Sequence, residues 1–170
     1  MLTSTQTSVA LRPVRPEDEA FLYEVYASTR ADEMALVDWS EEQKDAFLRM
    51  QFNAQAHFYQ ENYPGAEFQV ILWDDQPAGR LYIHRRPDEI RIMDIALLPE
   101  YRRHGIGSHL LNQILDEARA NRLPVTIHVE RMSPAMRLYD RLGFRLLEEK
   151  GIYYLMEWTP MMMEVSGHAG

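Results

Sequence analysis

The segment 90–107, IRIMDIALLPEYRRHGIG, constrains the fold of this chain more than any other. An apolar, strand-like run ends at Leu98-Pro99. A short turn follows, then Arg102, Arg103 and His104, then Gly105-Ile106-Gly107, and an amphipathic stretch begins at once. A strand that feeds a helix through a glycine turn leaves the first N–H groups of that helix without partners in the helix ladder. Such a turn is built to hold an anion. Arg102 and Arg103 add positive charge beside those donors. A phosphorylated co-substrate is the first expectation.

The flanking sequence supplies a mixed sheet. Residues 9–14 read as a strand, and Pro16 followed by Glu17, Asp18 and Glu19 opens a helix that runs to about Thr29. Ser40 and Gln43 form a capping box for a second helix. Phe47, Met50, Ala54 and Phe58 recur along it at helical spacing, and Tyr63-Pro64-Gly65 ends it. Residues 68–73 and 78–84 flank the turn at 74–77 as a hairpin, and Pro87-Asp88-Glu89 turns into the strand at 90–98. A third helix spans about 107–121, with Ile106, Leu110, Leu111, Ile114, Leu115 and Ala118 on one face. Residues 125–129 make a buried strand. Ser133-Pro134 starts a short helix that Gly143 ends, and 144–147 and 153–158 pair as a last hairpin around Lys150-Gly151. The order β-α-α-β-β-β-α-β-α-β-β predicts an α+β (mixed α/β) fold with a mostly antiparallel sheet and one parallel β-α-β unit. A single domain is expected over residues 9–159, with 1–8 and 160–170 as flexible tails.

Composition narrows the function classes. The chain has 170 residues, 46% apolar and 26% charged, and a formal charge of −8. That balance excludes broad nucleic-acid binding, which needs clustered Lys and Arg, and suits a cationic or amine-bearing partner. The absence of cysteine excludes disulfides, thiolate metal sites and cysteine nucleophiles; no metal is expected. The start lacks a basic stretch followed by an apolar one, and no apolar run reaches about 18 residues, so a cytoplasmic protein without a membrane span is expected.

Three phosphate motifs compete for the glycine turn. A Walker loop needs Gly-Lys-Ser/Thr, which the chain lacks. A dinucleotide fingerprint needs a small residue three positions after Gly107, where Leu110 stands. The third, Arg/Gln-x-x-Gly-x-Gly/Ala, is matched in full by Arg102-Arg103-His104-Gly105-Ile106-Gly107. With the strand ending Leu97-Leu98-Pro99-Glu100-Tyr101 and the segment Ala135-Met136-Arg137-Leu138-Tyr139-Asp140-Arg141-Leu142-Gly143-Phe144, the chain resembles the GNAT N-acetyltransferase superfamily. The likeness runs in element order over about 9–158, and its motifs lie within 92–144.

The resemblance implies a seven-stranded sheet splayed between its fourth and fifth strands, acetyl-CoA as co-substrate, and direct transfer to a primary amine of a small molecule or peptide. It implies that amides from Arg103, His104, Gly105, Ile106, Gly107 and Ser108 cradle the pyrophosphate. The backbone of Leu97 and Leu98 would pair with the pantetheine arm, and an amide among Ala96, Leu97 and Leu98 would face the thioester carbonyl. It implies that Tyr139 is the general acid. The comparable cofactor contact after the fifth strand falls on Ser133, where the family usually has asparagine. The resemblance also leaves a homodimer open.

The acceptor amine must shed a proton before it attacks, and Asp94, His128, Glu130 and Glu33 are the candidate bases. Asp94 stands in an apolar run, where a carboxylate is paired, to Arg80 or Arg91, or functional. A sheet histidine such as His128 is more often a packing residue than a base. Acceptor specificity is expected from residues 28–66, with Arg30, Glu33 and Trp39 foremost. Arg30 at i, i+3 from Glu33 would hold either that carboxylate or a substrate's.

Overall fold

The computed structural model describes residues 8–131 and 133–160. Except for Ser8 and Pro160, the expected tails lie outside the described residues.

Seven strands form one sheet: β1 (Val9–Pro13), β2 (Glu67–Trp73), β3 (Gln76–Arg85), β4 (Ile90–Leu97), β5 (Val125–Glu130), β6 (Arg145–Lys150) and β7 (Tyr153–Trp158), in the order β1-β2-β3-β4-β5-β7-β6. The helices are α1 (Glu19–Thr29), α2 (Ala31–Ala35), α3 (Glu41–Asn62), α4 (Ile106–Asn121) and α5 (Met136–Leu142), with single 3-10 turns at Pro16–Asp18 and Pro99–Tyr101. The pairings β1–β2, β5–β7 and β6–β7 are antiparallel, and β4–β5 is parallel, as the β-α-β reading requires. The chain divides into two compact units. One holds the residues up to Leu81 together with Ile95–His104; the other holds Tyr82–Asp94 and the residues from Gly105 onward.

In the first unit, α1 and α3 bury Leu22, Tyr23, Tyr26, Leu48 and Phe52 as one cluster. Ser40 caps α3 as expected: its hydroxyl accepts from Gln43 N at 3.1 Å, and Gln43 Oε1 accepts from Ser40 N at 2.9 Å. The buried face of α3 is Leu48 and Phe52. Met50 and Phe58, on the expected face, are 62% and 52% exposed. Arg12 grips Asp18 with both terminal nitrogens at 2.8 Å, and Asp18 also accepts from Arg15 N at 2.7 Å. The Arg12 bonds hold the Asp18 carboxyl down to about 2.

In the second unit, α4 buries Ile106, Leu110, Leu111, Ile114, Leu115 and Ala118, the six residues its periodicity singled out. Gly143 ends α5 in the left-handed region at φ 100°. The strand β6 is exposed along its whole length and carries a register shift between Leu146 and Glu148, which blunts it as a sheet edge.

Candidate active site

The parallel β4–β5 ladder pairs Ile90 with Val125, Arg91 with Thr126 and Ile92 with Ile127, and stops there. Both strands go on, to Leu97 and to Glu130. On its other edge β5 stays paired with β7 to the end, His128 facing Leu155 and Glu130 facing Tyr153. A side-chain clasp sits at the last rungs: Arg91 Nε donates to Thr126 Oγ1 at 2.6 Å, and Thr126 Oγ1 and Arg91 both donate to Glu89 Oε1, at 2.6 and 3.2 Å. Past this clasp, Met93 and His128 have left the ladder. The parallel pairing of the fourth and fifth strands therefore ends at a defined residue pair, the place where the splay is expected.

In the first unit the end of β4 is committed on one side. Leu98 N donates to Ala78 O at 2.9 Å, and Leu98 O accepts from Tyr101 N at 3.0 Å. The carbonyl of Ala96 presses on Gly79, where an added Cβ would lie 2.1 Å from that oxygen. Strand alternation turns the peptide groups of Leu97 the other way. Both Leu98 peptide groups therefore have partners within the chain, and so, through Arg102, does the Leu97 carbonyl. Arg102 Nε donates to Leu97 O at 3.0 Å, and Arg102 also reaches Ser28 Oγ at 3.4 Å. Arg102 is thus a clasp on the strand end as well as a nearby cation.

The turn after β4 bends tightly, with Arg103 at φ 65° and Gly105 at φ 81°. A non-glycine residue in this region is uncommon and costly, so the turn holds its shape against a penalty at Arg103. The His104 ring lies on Trp73 with centroids 4.5 Å apart, and Tyr101 meets the same indole edge-on at 5.7 Å. The α4 ladder begins with His109 N donating to Gly105 O at 3.0 Å. The amides of Ile106, Gly107 and Ser108 therefore precede it, as in any helix first turn, and that turn carries no acidic side chain of its own. A Cβ at Gly107 would meet no atom within 4 Å. Internal packing does not require glycine there.

Tyr139 lies in α5, 5% exposed, its ring edge-on to Phe144 at 5.6 Å. Burial, and the charge of Asp94 after it, push the Tyr139 phenol well above its ordinary range. Two residues expected at the site, Tyr139 and Asp94, thus feel one another. Ser133 does not cap α5 directly. The helix starts at Met136 with Ala135 as its N-cap, and Ser133 Oγ accepts from Ala135 N at 3.2 Å just upstream. Ser133 N in turn donates to Glu130 O at 3.0 Å, tying the end of β5 to the approach of α5. His128 is half-buried. Burial, then the cations Arg91 and Lys150, lower its pKa, against a smaller pull from Glu148 and Glu89.

The residues expected to choose the acceptor are engaged locally. Arg30 bonds Glu33 at 3.0 Å and lies 5.6 Å from the Tyr26 ring centre. Trp39 packs edge-on against Phe47 at 5.2 Å, 42% exposed. Arg80 is buried at 2% exposure, bonds Gln55 at 2.9 Å and flanks the same Tyr26 ring at 5.8 Å. Sequence reasoning missed Gly79 and Trp73. Neither belongs to a motif, and each matters only through a partner more than 15 residues away, Ala96 and His104.

Among the described residues no cluster of His, Asp and Glu could hold a metal ion, and no helix is long and apolar enough to cross a membrane. The model of the acetyltransferase (GNAT) family matches residues 16–144. A putative ribosomal protein bS18-alanine N-acetyltransferase of Bacillus subtilis is 32% identical over 143 residues, 82% of this chain and 83% of that protein. Among solved structures, the PaiA N-acetyltransferase of Thermoplasma acidophilum in complex with coenzyme A superposes with a TM-score of 0.68 at 20% identity, over 89% of this chain and 99% of that one. The ribosomal-protein-S18-alanine N-acetyltransferase of Escherichia coli does so with a TM-score of 0.60 at 17% identity, over 89% and 94%.

Proposed function

Since this chain belongs to the GNAT acetyltransferase family and is an acetyl-CoA-dependent N-acetyltransferase, we propose that its acceptor is the α-amine at the N-terminus of a peptide or protein. The observation that carries the acceptor class is the likeness to the Bacillus relative, which spans four-fifths of both chains. A side-chain amine or a small free amine is the alternative that the test below separates.

In this reading the amides from Arg103 to Ser108 hold the pyrophosphate. Leu97 offers its N–H and C=O to the pantetheine arm like an added strand, while the Arg102 bond to Leu97 O fixes the tilt of that peptide. The thioester then lies where β4 and β5 have parted, beyond Ile92 and Ile127. The acceptor nitrogen attacks the thioester carbonyl carbon, a C–N bond forms, and the C–S bond breaks. With no cysteine in the chain, the acetyl group passes in one step without a thioester on the enzyme. Tyr139 supplies the proton to the departing thiolate. Burial and the Asp94 charge both keep the phenol protonated until the thiolate forms, and both also hold its proton more tightly. Asp94 then acts on Tyr139 through its charge.

The test is acetyl-CoA turnover, followed by free thiol, with an Ala-initiated hexapeptide, the same peptide blocked at its α-amine but carrying a lysine, and spermidine. Acetylation of the first at its α-amine, located by mass spectrometry, supports the reading. Preference for the blocked peptide or for spermidine overturns the acceptor class.

A further inference from the structure

The turn after β4 keeps Arg103 at φ 65°, in the left-handed region that a residue with a side chain enters only against a penalty. Something outside the turn must hold it there. We infer that Trp73 of β2 does so: its indole is a positioning residue that keeps the Arg103 and His104 amides in the arrangement that binds pyrophosphate. This rests on the acetyltransferase reading and deepens it, by naming the residue against which the cofactor turn is shaped.

The contacts bracket the strained residue. Tyr101 and His104 stand three positions apart, with Arg102 and Arg103 between them. Both rings rest on the indole. His104 lies on it with centroids 4.5 Å apart and planes inclined at 50°, and Tyr101 meets it edge-on at 5.7 Å and 70°. A change of φ at Arg103 swings His104 relative to Tyr101, so the backbone cannot relax without breaking one of the two contacts. His104 is exposed, so no surrounding core fixes its ring. On the near side of Arg103 the backbone is already set: Tyr101 N donates to Leu98 O at 3.0 Å, and Arg102 N to Pro99 O at 3.2 Å. The His104 side of the turn is the one that depends on the indole.

Trp73 is itself anchored. It ends β2, paired with Val9 of β1. Just beyond it Asp74 N donates to Ser8 O at 2.9 Å, and Ser8 N donates to Asp74 Oδ1 at 2.8 Å. Asp74 and Asp75 take φ 49° and 66°, the paired positive values of a two-residue hairpin turn, which fixes the register of β2 against β3. The indole therefore projects from a backbone held by strands on both sides. Stacked and edge-on rings attract beyond the area they bury, so an aromatic plane holds the turn where an aliphatic side chain of similar bulk would not.

The test uses the full chain, the Ala-initiated hexapeptide and two donors: acetyl-CoA, and acetyl-pantetheine, which carries the same thioester without the pyrophosphate. Trp73→Leu is expected to raise the KM for acetyl-CoA about 10-fold and His104→Ala several-fold, as the loss of two ring contacts and of one would, with kcat kept in both. With acetyl-pantetheine both variants should match wild type, because no pyrophosphate is left to place. Trp73→Phe and His104→Phe, which keep a ring, should recover most of the loss. An unchanged KM for acetyl-CoA in Trp73→Leu and His104→Ala overturns the inference. An equal loss with both donors overturns it as well, since that is the mark of general packing. So does a His104→Phe variant as weak as His104→Ala, because the imidazole would then act on the phosphates by itself. If Trp73→Leu does not fold, the two His104 variants decide, since that side chain is exposed. Failure of the underlying reading looks different: wild type would release no thiol from either donor, or would use the two donors equally well.

Discussion

Gly79 and Gly107 lack side chains for opposite reasons, and two alanine substitutions tell them apart. At Gly79 an added Cβ would lie 2.1 Å from the Ala96 carbonyl and 2.9 Å from Leu97 Cα, backbone atoms that cannot swing aside. Gly79→Ala must push the β4 end off β3, at a cost of about 1–3 kcal/mol or more, and must tilt the Leu97 peptide as it does so. A lower melting temperature together with lost turnover is expected. At Gly107 nothing lies within 4 Å and φ is not positive, so alanine fits the helix. Gly107→Ala should gain up to about 1 kcal/mol of stability while weakening acetyl-CoA binding, measured by calorimetry. A variant that is more stable and binds as before would remove Gly107 from the cofactor site. Asp18 gives a pH prediction. Its folded pKa of about 2 is below the ordinary carboxylate value, so its contribution is complete above about pH 4 and is lost as pH falls toward 2. Asp18→Ala should cost about 1–2 kcal/mol near neutrality, discounted for partial exposure. The gap to wild type in urea midpoint should close as the pH drops through that window.

Elements written in local chemistry were legible, and those made by distant contacts were not. The Ser40–Gln43 box, the six-residue face of α4 and the Gly143 stop depend on local residues and stand where the sequence put them, while the β2–β3 turn closes on two residues, with Gln76 and Pro77 already in β3. The five residues of α2 carry neither a period nor a cap, so the 28–40 stretch gave no helix signal. On α3 several apolar residues compete for the buried side. Packing against Tyr23 and Tyr26 selects Phe52, which contacts both rings at 5.6 and 5.9 Å, over Met50 and Phe58. For the site, the glycine turn was readable as a motif, whereas the Arg102 bond to Leu97 needs the folded turn to exist. That bond yields a prediction at the scale of elements, because Arg102 joins the turn, the end of β4 and the end of α1. If Arg102 acted only as a cation for phosphate, lysine would replace it. A lysine ammonium cannot reproduce the Nε donor and the second guanidinium arm together. Arg102→Lys is therefore expected to raise the KM for acetyl-CoA about as much as Arg102→Gln does, several-fold in each, while rescue by lysine would return the residue to a purely electrostatic role.

At the scale of the whole molecule, charge is what the sequence states most directly, and it bears on the acceptor. With 26 acidic and 18 basic side chains the protein carries −8 near neutrality. Such a surface draws cationic partners and slows anionic ones, and the effect acts on encounter more than on the chemical step. Salt screens it, with a Debye length of about 8 Å at 0.15 M ionic strength. Two Ala-initiated hexapeptides that differ only in carrying two arginines or two aspartates beyond the third residue expose the same α-amine to the same acetyl donor. Their kcat values should agree, since the chemistry is shared. Their kcat/KM values should differ several-fold in favour of the basic peptide at low salt and converge as the ionic strength rises past the point where the Debye length falls to about 3 Å, near 1 M. If the preference survives high salt, specific contacts to the side chains and not the field of the protein choose the acceptor, and Arg30, Glu33 and Trp39 become the residues to substitute. If the acidic peptide is preferred at every salt concentration, the field argument fails outright, because a local guanidinium cluster such as that of Arg30 and Arg80 around Tyr26 would then outweigh the net charge.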